Sequence, residues 1–183
     1  VTIARRRPSQ MAGEASVVID YDSTALYDMP LAAATIFAAE VAIRCGSRRA
    51  DEARAVLAGL AYKFALTVFM ENIRVHGSFV ESGELRHGPV EAFERQRPDM
   101  VFLKGTDESR AMTQRAIDVS LAAGARALVY DAADYPEVHP LLAPFVLLVP
   151  LQWFTVYSAL LRGITDLDER VFMGHRVLAT GPD

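Results

Sequence analysis

The 183-residue sequence holds one cysteine, Cys45, so it has no internal disulfide and no thiol pair to grip a metal. That shortage points to a reducing, cytoplasmic compartment. Positive charge is not in excess either. Nineteen Lys and Arg stand against 23 Asp and Glu, which leaves a net charge of −4 and a pI near 5.6. A chain with that balance is not expected to take nucleic acid as its main partner. The opening VTIARRRPSQ has three arginines but no apolar run behind them, so it does not read as a signal peptide. No membrane span is expected. The longest apolar run, Phe145 to Leu161, contains Pro150, Gln152 and Ser158, and reads as a strand, a proline break and a buried helix. His76 and His139 make no metal-ligand spacing with another His or an acid, and both read as structural. No metal is expected. There is no internal repeat and no low-complexity tract beyond a richness in alanine.

What is present is apolar. At 51% hydrophobic residues the chain can bury a full core and reads as one globular unit. Val1 to Ile3 and the β-branched run Ser16 to Tyr21 read as short strands. Pro30 opens an Ala-rich helix to about Arg44, closed by Gly46, and its scant polar face suggests an interface between copies. Asp51 to Leu60 is a second amphipathic helix. From Pro98 the rhythm is regular: strand at Met100–Leu103, helix to about Ala123, strand at Arg126–Tyr130, a short helix or turn at His139–Pro144, strand at Phe145–Val149. A last helix then runs from Pro150 to Gly163, with Gln152 and Trp153 at its start and the aromatic expected in the core. Continuous apolar strands separated by helices predict a parallel sheet covered on both faces, with ligand at the carboxyl ends of its strands.

The stretch from Lys63 to Pro89, KFALTVFMENIRVHGSFVESGELRHGP, carries the chemistry. Between Phe64 and Val75 only Glu71 and Arg74 are charged, so this helix is predicted to be buried. A carboxylate stripped of water there tends toward a raised pKa, which suits a base that takes a proton beside a carbonyl. The competing reading is a simple ion pair between Glu71 and Arg74. Behind the helix, Glu84-Leu85-Arg86-His87-Gly88-Pro89 supplies a titratable imidazole on a polar loop. Glu71 and His87 form the candidate acid/base pair.

Glu71, GELRHGP, and further on VPLQWF and LRGITDLD resemble the sugar isomerase (SIS) domain of phosphosugar enzymes, most clearly from Ala61 onward. In pattern the chain is similar to the fructosamine-6-phosphate deglycases and to the isomerase half of glutamine–fructose-6-phosphate aminotransferase. The resemblance implies a three-layer α/β/α fold with a mainly parallel sheet and a sugar phosphate as ligand. It implies no cofactor, and active sites between domains or subunits, hence a homodimer or higher oligomer. It gives Glu71 the proton transfer between C1 and C2 of the open-chain sugar and His87 the ring opening. Glu84 and Arg86 bear on the substrate through the same motif, Glu84 as a brace for the loop and Arg86 in place of the usual lysine. The tail RVFMGHR resembles the segment in which a lysine approaches the substrate, and that position holds His175 here. An isolated exposed histidine is the other reading of His175. Because histidine cannot form a lysine imine, deglycation or isomerisation is favoured over amino transfer.

Against that pattern, two pieces are lacking. No GSGxS-like loop is present to grip the sugar phosphate, and no strand with a Gly-Ser turn precedes the Glu-bearing helix. Instead Leu60 runs straight into Ala61 without a polar turn residue. The expected division is therefore residues 1–60 as the remainder of a first SIS domain or connecting helices, and 61–183 as a C-terminal SIS domain. Part of a longer protein is expected to be missing from this sequence. The rival without catalysis is a regulatory module that senses a sugar phosphate, although a sensor needs neither Glu71 nor His87.

Overall fold

A computed structural model of the chain describes residues 2–4, 18–20, 50–167, 169 and 171. Strands β1 (Thr2–Ala4) and β2 (Val18–Asp20) pair in parallel. Both fall on runs that the sequence marked as strands. The predicted helix Pro30–Arg44, Cys45 and His175 lie outside the described residues.

Helix α1 (Ala50–Lys63) continues without a break into Phe64–Ile73, which is wound as a π-helix. This explains the Leu60–Ala61 junction: there is no turn because one helix passes through. Bonding from residue i to i+5 changes which residues share a face. Phe64, Val68, Asn72 and Ile73 are buried, so an asparagine joins the apolar stripe while Glu71 stays half-buried. The helix stops at Arg74, whose φ of 58° is left-handed and whose N–H returns to the Phe69 carbonyl. The chain then doubles back along the helix. Gly77 passes so close to the Ala65 carbonyl that a Cβ would not fit, and the rings of Phe79 and Tyr62 meet edge-on at 6.0 Å.

Two parallel strands follow, β3 (Asp99–Lys104) and β4 (Arg126–Asp131), in register from Asp99 opposite Arg126 to Lys104 opposite Asp131. Helix α2 (Arg110–Ala122) connects them. Side chains alternate along a strand, and β3 uses both faces. Val101 and Leu103 pack on Leu57, Leu60, Phe64, Val68 and the helix containing Leu147 and Leu151. Met100 and Phe102 pack instead on Leu85, Phe93, Ala116 and Ile117. One sheet between two helical layers is the three-layer α/β/α arrangement that the sequence suggested.

One element differs from expectation. Phe145–Val149 is not a strand, and Pro150 does not begin the last helix. Helix α3 spans Ala143–Leu161 as one piece, with Pro150 inside it. Five apolar residues in a row do not distinguish a strand from a buried helical turn. Proline in a helix forfeits one backbone hydrogen bond, but α3 is held by packing: Ala143, Leu147, Leu148 and Leu151 are all buried in the first core. The helix also starts on prolines placed where no intrahelical N–H is required, with Pro140 opening the preceding turn Pro140–Leu142 and Pro144 in the first turn of α3. With the break removed, Pro140–Leu161 and Arg54–Ile73 are each long and apolar enough to cross a membrane by length and composition. In the fold these two helices pack on each other and on the sheet.

Candidate active site

Glu71 sits near the end of the π-helical segment, half-buried. Its neighbour Asn72 is 9% exposed, and Asn72 Nδ2 donates to the Leu167 carbonyl at 2.8 Å, 95 residues away in sequence. Asn72 Oδ1 is buried and accepts no hydrogen bond. A buried acceptor left in that condition costs about 1–3 kcal/mol. Two residues on, the Arg74 guanidinium donates to Glu169 Oε2 at 2.8 Å. The sequence offered Arg74 as a partner of Glu71; its hydrogen bond to Glu169 joins the helix end to the C-terminal side of α3.

His87 occupies a different setting. Glu84–Arg86 forms one 3₁₀ turn, and the His87 N–H caps it by donating to the Glu84 carbonyl at 2.9 Å. Leu85, 2% exposed, anchors the turn in the second core, while Glu84, Arg86 and His87 are all exposed to solvent. Gly88 follows at φ 126°, a conformation that an L side chain rarely adopts. Pro89 then opens the next 3₁₀ turn, Pro89–Ala92.

The path between these two sites leads away from Glu71. By Phe79 the chain is back beside Tyr62, nine residues down the helix from Glu71, or about 13 Å at the rise of an α-helix. At Ser82 it has reached α2, where Ser82 Oγ donates to Thr113 Oγ1 at 3.2 Å. Each half of the candidate pair is thus seated on a different face of the sheet. Glu71 belongs to the helix of the first core and His87 to a turn on the second.

A third polar cluster went unnoticed in the sequence. At the carboxyl ends of β3 and β4, Asp131 takes two hydrogen bonds from Arg110, at 2.6 and 2.7 Å, and lies 3.2 Å from Lys104 Nζ. Asp131 also accepts from the Ala133 N–H, and Lys104 donates to Gln114 Oε1 at 2.6 Å. The Arg110 guanidinium, helped by the Ala133 N–H and Lys104, holds the Asp131 carboxyl well below the usual carboxylate range, against the opposing effect of burial. Arg110 is correspondingly raised, first by its bond to Asp131. Burial pushes the neighbouring Tyr130 phenol up. Arg110 and Lys104 stand 21 and 27 residues before Asp131, and no local spacing marks them. Among the described residues, no three His, Cys, Asp or Glu side chains gather as a metal site would require.

No family model matches the sequence. The chain is 40% identical over 116 residues to a fructoselysine 6-phosphate deglycase of Escherichia coli K12, a match covering 63% of this chain and 34% of that protein. It is 35% identical over 95 residues to the fructosamine deglycase FrlB of Bacillus subtilis, covering 49% and 29%. It is 33% identical over 128 residues to an isomerizing glutamine–fructose-6-phosphate aminotransferase of Thermus thermophilus, covering 63% and 21%. A crystal structure from Bacillus subtilis, of a protein assigned as a candidate phosphosugar isomerase, superposes with a TM-score of 0.64 over 93% of this chain and 66% of that one, at 22% identity. These likenesses support the sugar isomerase (SIS) domain family for this chain. The chain spans about a third or less of the length of these curated relatives. The SIS fold accounts for the two helical layers around a parallel sheet.

Proposed function

We propose that this SIS chain is part of a cytoplasmic phosphosugar-processing enzyme, a deglycase acting on an amino-ketose 6-phosphate. The observation that carries the reading is the 40% identity to a fructoselysine 6-phosphate deglycase, in a chain whose Glu71 and His87 are the candidate acid/base pair. In the proposed reaction the Glu71 carboxylate takes a proton from C1 of the open-chain substrate, and the electron pair moves through C1–C2 onto the carbonyl oxygen. The same carboxyl returns the proton at C2 as the nitrogen lone pair forms the C1–N double bond. The N–H proton passes to the C2 oxygen, which leaves an imine at C1 and a hydroxyl at C2. Water adds at C1, and the C–N bond breaks to give the aldose 6-phosphate and the free amine. His87 opens the ring before proton transfer, with Glu84 bracing its loop and Arg86 and His175 bearing on the substrate. Isomerisation of a ketose phosphate is the nearest alternative, because it shares the first two steps.

Glu71 and His87 rest on different faces of the sheet, and this favours a site completed by a second copy. A homodimer or higher oligomer is therefore part of the proposal. Helix α3 also exposes Val149, Trp153, Tyr157 and Leu161 along one stripe, apolar surface of the kind that interfaces cover. Exchange of the substrate's C1 proton with deuterated solvent tests the chemistry. Glu71→Gln should abolish exchange while leaving sugar-phosphate binding intact; undiminished exchange would assign the base elsewhere. Light scattering tests the assembly, and a monomer at micromolar concentration would count against it.

A further inference from the structure

Asn72 presents a puzzle of stability. Its Nδ2 donates to the Leu167 carbonyl while its Oδ1 is buried and unpaired. Turning the amide over would not help, because Oδ1 would then face a carbonyl and the amino group would be stranded. A leucine of similar size would remove the orphaned acceptor and suit the stripe of Phe64, Val68 and Ile73. Core packing thus gives no reason for an amide here. What the amide supplies is a tie to residue 167. Arg74 repeats the logic: at φ 58° a glycine would be unstrained, whereas the arginine side chain reaches Glu169. The two ties are in step, 72 with 167 and 74 with 169, and they bracket the turn after Glu71.

We propose that Asn72 is a positioning residue for Glu71. Together with Arg74 it clamps Leu167 and Glu169 across the end of the π-helical segment, and the clamp fixes the pose of the Glu71 carboxylate. The last turn of a helix frays unless something holds it, and proton transfer is sensitive to small errors of placement. This inference rests on Glu71 being the base.

The test compares Asn72→Leu, Glu169→Ala and Glu71→Gln in the intact protein. Asn72→Leu is expected to keep or raise Tm, to lower kcat by roughly 10- to 100-fold with KM changed by less than about threefold, and to speed amide exchange at residues 164–167 by roughly 3- to 10-fold. Glu169→Ala, at an exposed site that cannot upset the core, should shift the same two readouts in the same direction by less. Unchanged kcat in both variants while Glu71→Gln is inactive would overturn the clamp and leave the base in place. A kcat loss in Asn72→Leu that merely follows a fall in Tm, with Glu169→Ala silent, would also overturn it by reducing Asn72 to a structural role. Glu71→Gln that still exchanges the C1 proton would overturn the reading of the base, and the positioning role with it.

Discussion

The Asp131 cluster and the end of the Glu71 helix are both polar, partly buried and built from residues far apart in sequence, yet they are finished differently. Around Asp131 every group has its counterpart: two arginine bonds, a lysine, a backbone N–H, and a glutamine to occupy the lysine. Charges so completely paired have nothing left to offer a ligand, even at the carboxyl ends of parallel strands where ligands are expected. At the Glu71 helix end the arrangement is incomplete, with a buried acceptor unpaired and an arginine in a backbone conformation suited to glycine. If Glu71 is the base, as proposed, the strongly perturbed carboxyl is the poorer guide to function in this molecule. The unsatisfied amide beside an acid would then be the better one, because it costs stability that folding alone does not require.

The sharpest way to break this comparison is to remove the carboxylate on which the proposed chemistry depends. Glu71→Gln should reduce turnover by at least ~10²–10⁴-fold, the usual loss of a general base, with Tm little changed. The opposite result is expected from Asp131→Ala. It should lower stability by about 2–3 kcal/mol, because it strands the half-buried Arg110 and the nearly buried Lys104. Turnover per folded molecule should stay near wild type. If Asp131→Ala lost catalysis without losing stability, the two clusters would have to exchange roles.

The pH dependence sharpens the distinction. A carboxyl whose folded pKa is depressed stabilises the fold fully above its unfolded value near 3.9 and stops doing so as pH falls through the folded value. Stability should therefore decline from about pH 5 downward, and Asp131→Asn should flatten part of that decline in denaturant titrations at successive pH values. Parallel curves for the two proteins would remove Asp131 from the account. The smallest effect belongs to Arg126 and Asp99, whose short bonds are fully at the surface. Arg126→Ala should change stability by less than about 1 kcal/mol, and added salt should erase even that.

Much of the fold was legible because it is written locally. Met100–Leu103 and Arg126–Tyr130 are continuous apolar runs bounded by Pro98, Gly105 and Gly124, and both became parallel strands of one sheet. GELRHGP announced a turn, and a turn is there. Phe145–Val149 misled because a buried helix and a buried strand look alike over five residues. The π winding of Phe64–Ile73 was not readable, since an apolar stretch carries no mark of how its backbone closes. Glu71 stood out in the sequence as a candidate by its isolation among apolar residues. The hydrogen bonds of its neighbours did not, because Asn72 and Arg74 find their partners 95 residues later. Separation in sequence also hid Asp131, whose neighbours come from the previous strand and helix.

Trp153 is the one tryptophan in this chain. Expected in the core, it lies instead 56% exposed on the apolar stripe of α3, its ring stacked on Tyr157 at 5.6 Å between centroids. The indole emission of the chain therefore comes from a single point on that outer face, remote from solvent only when something lies over it. Whatever covers the stripe should move the emission toward the blue and shield it from a dissolved quencher such as iodide. Dilution that uncovers it should undo both changes, so the chain carries its own optical gauge of association without an added label.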